Sequence, residues 1–155
     1  MATTELRTAR TDDLDLLALS GAELQDLYRS APAGAIPRGT GRGTAILVPG
    51  RAAGRVLARL VRVGAWQGKV FDDDGKHLVN LISPLHRRAI RAEVYEGGSW
   101  LDNGPCIVID YSRTSRIARW VHDEIREVAP GVFLGLVYVR RRRLPLLFAL
   151  NFSNS

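Results

Sequence analysis

The chain has 155 residues, 46% apolar and 25% charged, with a net charge of +6. That is enough for one ordinary soluble core and marginal for two. Twenty of the 22 basic residues are arginine, a bias that GC-rich coding produces, so basicity alone does not argue for nucleic acid. Cys106 is the one cysteine, which excludes an intrachain disulfide. No apolar run reaches the roughly 18 residues of a membrane helix, and no basic-then-apolar leader opens the chain, so a cytoplasmic location without a membrane span is expected.

Residues 1–19 mix Thr, Arg and Asp with a few Leu and are expected to be a flexible arm before one barrel domain over 20–155. Ser20-Gly21-Ala22-Glu23 is a capping box that predicts a helix to about Arg29, burying Leu24, Leu27 and Tyr28. Ala31 to Arg38 holds two prolines and a glycine and is expected to be a loop. Thr44 to Val48 predicts a short strand. Pro49-Gly50 ends it and opens a helix over Arg51–Arg62, with Val56, Leu57, Leu60 and Val61 on its apolar face.

From Gly64 the apolar period changes to two. Strands are predicted at Ala65–Phe71 and Lys76–Ile82 around a turn at Asp72-Asp73-Asp74-Gly75, then at Arg88–Tyr95 and Pro105–Tyr111. Ser112 predicts the cap of a helix near 113–121 through Ile117, Trp120 and Val121. Glu124 to Val128 reads either as an extension of that helix or as a strand turning at Pro130-Gly131, and the strand is preferred. Val132–Val139 and Leu144–Phe152 are strands about an Arg140–Arg143 turn. The fold class expected is mainly β (α+β): a small antiparallel barrel with short N-terminal helices.

Gly64-Ala65-Trp66-Gln67-Gly68-Lys69-Val70-Phe71 resembles the first strand of the lipocalin-like (calycin-type) barrels, through Gly64, Trp66 and Gly68. The resemblance runs from Gly64 to Phe152, a little over half the chain. It implies a cup holding one small guest, and it implies that Trp66 packs across the closed end. Two predicted helices and one strand precede the motif here, which leaves the strand order open.

The expected guest-facing walls are Trp66, Val108, Leu134, Leu136, Tyr138 and Phe148. The opposite face of the seventh predicted strand, with Phe133, Val137 and Val139, then needs a helix or a second subunit, so a homodimer is a reasonable expectation. If Cys106 and Val108 face inward, Asp110 does too. There its carboxyl would have a raised pKa suited to acid–base work; otherwise it binds a backbone amide or an arginine. Tyr111 would then point outward. On a strand, Glu124 and Arg126 share a face and could form an internal ion pair; on a helix they are solvated.

His77, His86 and His122 lack ligand spacing, so no metal or other cofactor is expected. Asp72-Asp73-Asp74-Gly75 lacks the alternation of a calcium loop. Gly39-Thr40-Gly41-Arg42-Gly43 follows no strand, so it is no nucleotide fingerprint. Arg140–Arg143 reads as a solvated turn or as a phosphate contact. The leading expectation is a carrier of a hydrophobic, lipid-like or polyketide-like molecule. The alternative is a cofactor-independent cyclase or isomerase using Asp110 with Tyr111, or Glu124 with Arg126. A basic nucleic-acid or membrane-surface module is the third reading, with no nucleic acid expected because exposed aromatics between the arginines are not evident.

Overall fold

The structure is a computed structural model and describes residues 14–48, 66–82 and 87–152. Two short helices come first, α1 (Leu14–Ala18) and α2 (Gly21–Ser30). The capping box forms: Ser20 Oγ accepts from Glu23 N, and Glu23 Oε1 accepts from Ser20 N, each at 3.1 Å. α1 falls inside the expected loose arm. It is ordered there because Leu16, 1% exposed, packs with Leu24 and Tyr28 on the barrel wall. Residues 1–13, the helix expected over Arg51–Arg62, and His86 lie outside the described residues.

Eight antiparallel strands follow: β1 (Gly39–Leu47), β2 (Trp66–Phe71), β3 (His77–Ile82), β4 (Arg87–Gly98), β5 (Pro105–Asp110), β6 (Val121–Ala129), β7 (Val132–Val139) and β8 (Arg142–Asn151). Each pairs with the next and β1 pairs with β8, closing an up-and-down barrel. The mainly β class with short N-terminal helices is therefore the observed one. The Trp66 motif opens the second strand, not the first. β1 also starts earlier than predicted, and packing explains two of its glycines, Gly41 and Gly43. A Cβ on Gly41 would come 2.5 Å from the Phe152 ring, and one on Gly43 would come 2.5 Å from the Trp66 ring. Among the described residues no helix is long and apolar enough to cross a membrane.

Alternation sends one set of side chains inside. Phe71, Leu78, Val94, Ile107, Ile109, Ile125, Phe133, Phe148 and Leu150 form the interior. The other set faces out, and Ile46, Leu134, Leu136, Tyr138 and Leu147 bury Leu16, Leu24 and Tyr28 of the helices. Each such side chain fully buried contributes about 1.5–3 kcal/mol. Leu134, Leu136 and Tyr138 are thus corrected from guest-facing to helix-facing. β7 is apolar on both faces, so period-two alternation carries no phase there. Covering that outer face with α1 and α2 also removes the reason for a second subunit.

The helix expected near 113–121 does not form; residues 111–120 are a series of turns. Hydroxyls compete with helical bonding here: Thr114 Oγ1 donates to Arg91 O, and Ser115 Oγ accepts from Ala118 N at 3.0 Å. Ala118 and Val121 then pack on the barrel core while Ile117 is left exposed.

Candidate functional site

A buried polar cluster lies inside the barrel. Two bulges shape it. Between Trp66 and Gly68 the register of β2 against β3 shifts by one residue, so Trp66 and Lys69 both turn inward although strict alternation would separate them. On β4 the extra residue is Ile90, with φ 59, and its carbonyl accepts from Asn80 Nδ2 at 2.9 Å.

Lys69, 3% exposed, donates from Nζ to Asn80 Oδ1 at 2.8 Å, to the Tyr111 hydroxyl at 2.6 Å and to Asp123 Oδ2 at 3.1 Å. Trp66 Nε1 donates to Asn80 Oδ1 at 3.0 Å, and the Tyr111 hydroxyl donates to Asp123 Oδ2 at 3.3 Å. Burial alone would lower the Lys69 pKa, but the Tyr111 and Asp123 oxygens outweigh it and hold the ammonium charged. Burial raises the pKa of Tyr111 against the opposing pull of Lys69. Asp123 Oδ1 is buried and has no partner. The cluster therefore has its donors engaged and one acceptor unmet.

The cluster sits near one end of the barrel. Tyr111 follows β5 directly and Asp123 is the third residue of β6, which sets that side of the cluster towards one end, while Lys69 and Asn80 lie mid-strand in β2 and β3. Trp66 packs edge-on against Phe148 with centroids 5.6 Å apart, so both expected wall residues do face inward.

The other expected site residues lie on the outer wall. Asp110 faces out, because the inward phase of β5 belongs to Ile107, Ile109 and Tyr111. Asp110 Oδ1 accepts from Ser112 N and Oδ2 from the Tyr95 hydroxyl, each at 2.9 Å. Its burial would raise its pKa, yet the bonds from Ser112 and Tyr95 prevail and lower it. The raised value, which required an inward face, does not arise, and the other reading, a carboxylate held by a backbone amide, is the one observed. Tyr111 is corrected from outward to inward, and Val108 from inward to outward. Cys106 is fully buried, and burial followed by nearby Glu124 pushes its thiol up to about 12, so it is not poised as a nucleophile.

Glu124 and Arg126 share the outer face of β6 without pairing with each other. Glu124 accepts from the Tyr28 hydroxyl at 2.8 Å, from Trp100 N at 3.0 Å and from Ser99 Oγ, and it meets His122 Nε2 at 3.2 Å. Arg126 forks onto Asp102 at 2.6 and 2.8 Å and donates to the carbonyls of Tyr28 and Pro105. These bonds fasten α2 and the 99–104 turn to the barrel, which is a structural role.

The Arg126 bond holds the Asp102 carboxyl down at about 2. A folded pKa below the unfolded value near 4 stabilises the fold above roughly pH 4, and the contribution fades as pH falls towards 2. Asp102→Asn should therefore flatten the loss of urea stability between about pH 5 and pH 2. An acid decline as steep as the parent's would show the pair contributes nothing.

None of the family models and none of the curated proteins compared with this chain matches it. The crystal structure of a protein from Thermomonospora curvata is similar, with a TM-score of 0.59 and 21% sequence identity over 86% of this chain and 87% of that one. The likeness is one of fold.

Sequence reasoning missed Lys69, Asn80 and the inward phase of Tyr111 and Asp123. One signal was present: Lys69 is one of two lysines among 22 basic residues. An arginine-rich chain that keeps a lysine on an apolar strand has a use for a compact ammonium.

Proposed function

We propose that the protein binds a small amphipathic molecule at the polar end of the barrel interior, with an apolar body among the inward aromatic rings and a hydroxyl or N–H donating to Asp123 Oδ1. The carrying observation is that unmet acceptor within the buried Lys69–Asp123 pair. A buried ion pair contributes little to stability compared with apolar residues of the same volume. Its presence, beside two bulges, supports a role in recognition. The resemblance of Gly64, Trp66 and Gly68 to lipocalin-like barrels is consistent with a guest-binding cup and a lipid-like or polyketide-like guest.

The test is native mass spectrometry of the protein mixed with a lipid and polyketide extract. A retained adduct bearing a hydroxyl or N–H, released unchanged, supports a carrier. Asp123→Asn should weaken it by tenfold or more, because the single remaining carbonyl oxygen must still serve Lys69 and the amide N–H then confronts the ligand's donor. Asp110→Asn should leave it unchanged. No adduct from any extract, or one indifferent to Asp123→Asn, rejects this site.

A second reading has its own observation. The Tyr111 hydroxyl bridges Lys69 and Asp123, a chain able to pass a proton. A guest released at the same mass with altered connectivity would make the protein a cofactor-independent isomerase or cyclase.

A further inference from the structure

We propose that the outer wall of the barrel carries a second binding site, for a small planar aromatic molecule bearing a phosphate or carboxylate. A hollow of about 630 Å³ lies over β4 and β5, floored by Gly97, Gly98 and Val108. That volume suits a ligand of one or two rings.

Three aromatic rings stand around it half-exposed: Tyr95 at 42%, Trp100 at 44% and Trp120 at 48%. Isolated exposed rings are ordinary, but three converging on one concavity mark a binding surface. The two indoles are also fixed in orientation. Trp100 stacks flat on His122 with centroids 3.6 Å apart. Arg119 lies 4.5 Å and Arg140 5.0 Å from the Trp120 ring centre, and Arg141 lies 5.4 Å from that of Trp100. A guanidinium stacked on an indole keeps its N–H edge free to fork onto a planar or tetrahedral anion.

The charge is one-sided. Arg119, Arg140 and Arg141 line the hollow, and the acid facing them is Asp110, whose oxygens already serve Tyr95 and Ser112.

The β7–β8 turn adds an independent argument. Arg140 and Arg141 adopt φ 50 and 67, a left-handed pair of positions that a two-residue hairpin normally gives to Asn-Gly. Arg140 N also donates to Trp120 O at 3.0 Å, so the strained turn is tied to the segment that carries Trp120. Strain of this kind persists where side chains are needed at that point. The rings and arginines gather around one hollow of a size that suits a free small molecule.

The experiment is isothermal titration of the whole protein with 1-naphthyl phosphate, 1-naphthol, inorganic phosphate and single-stranded oligothymidylate. Naphthyl phosphate should bind saturably, and naphthol and phosphate each roughly tenfold or more weakly, since each keeps only one of the two interactions. Trp120→Leu and Arg140→Gln should each weaken it by about tenfold, with unfolding midpoints near the parent's because both side chains are exposed. Asp123→Asn should leave this binding unchanged, which separates it from the interior site. Absence of naphthyl phosphate binding, or affinity indifferent to both Trp120→Leu and Arg140→Gln, overturns the proposal. Oligothymidylate binding more tightly than naphthyl phosphate would also overturn it, in favour of a nucleic-acid face.

Discussion

Lys69→Met should destabilise the barrel by about 3–5 kcal/mol, which at this chain length lowers the thermal midpoint by roughly 10 °C or more. Methionine fills much the same space among Trp66, Phe148 and Tyr111, so lost volume is not the cause. The cost is Asp123, which would stay 4% exposed with neither oxygen facing a cation. Asn80 Oδ1 and the Tyr111 hydroxyl would each lose a donor as well. Adding Asp123→Leu should restore most of the loss, because an apolar pair of matched size carries no desolvation cost. The measurement is a double-mutant cycle by urea denaturation. If Lys69→Met alone costs less than about 1 kcal/mol, the pair is solvated and the interior site loses its foundation. If the double variant is stable yet no longer retains a guest, stability and recognition have been separated at the same residues.

The second large effect lies next to it. Gly68→Ala should cost about 3 kcal/mol or more. A Cβ there would sit 2.1 Å from the Gly41 carbonyl oxygen and 2.9 Å from Gly43 N, and the residue has φ 146, which only glycine adopts freely. The obstacles are backbone atoms of the paired strand, so no side-chain rotation relieves them, and β1 must separate from β2. Gly75→Ala is the matched control. It has φ 68, but its nearest neighbour would be the Arg38 side chain at 3.5 Å, so strain alone applies, about 1–2 kcal/mol. Hydrogen exchange should show the Gly68 variant opening first along β1 and β2. Equal losses for the two variants would mean that the close approach of the two backbones is not the constraint.

These residues also show how far the fold was legible. Turn chemistry marked the strands well: Asp72 to Gly75 and Pro130-Gly131 lie where the chain reverses, and Phe148 on β8 faces inward as expected. Phase was lost where both faces are apolar. β5 buries four of its six residues and β7 seven of its eight, on both faces, so alternation could not say which face was which. Asp110 and Tyr111, and the Leu134–Tyr138 row, were assigned to the wrong faces for that reason. Lys69 was hidden differently. The bulge at Gln67 breaks the alternation that reasoning from the sequence assumes, and nothing in composition announces a bulge. The 111–120 segment was misread because Ile117, Trp120 and Val121 have helical spacing, whereas the structure assigns one to solvent, one to the outer hollow and one to the core.

Closure of the barrel rests on Arg42 facing Asn151 and Leu47 facing Leu146, residues from opposite ends of the described chain. During synthesis on the ribosome, β1 is made early and cannot meet its partner until β8 has emerged. For that interval its outer edge is an open template that another nascent chain could join. Arg42 and Gly43 make the start of that edge a poor template, whereas Thr44, Ala45, Ile46 and Leu47 leave the rest of it open. A circular permutant opened within Asp72–Gly75 would bring β8 and β1 closer in sequence and hand the long closure to β2 and β3 instead. It should fold no faster than the parent, because one pairing of a closed barrel always has the longest loop to close.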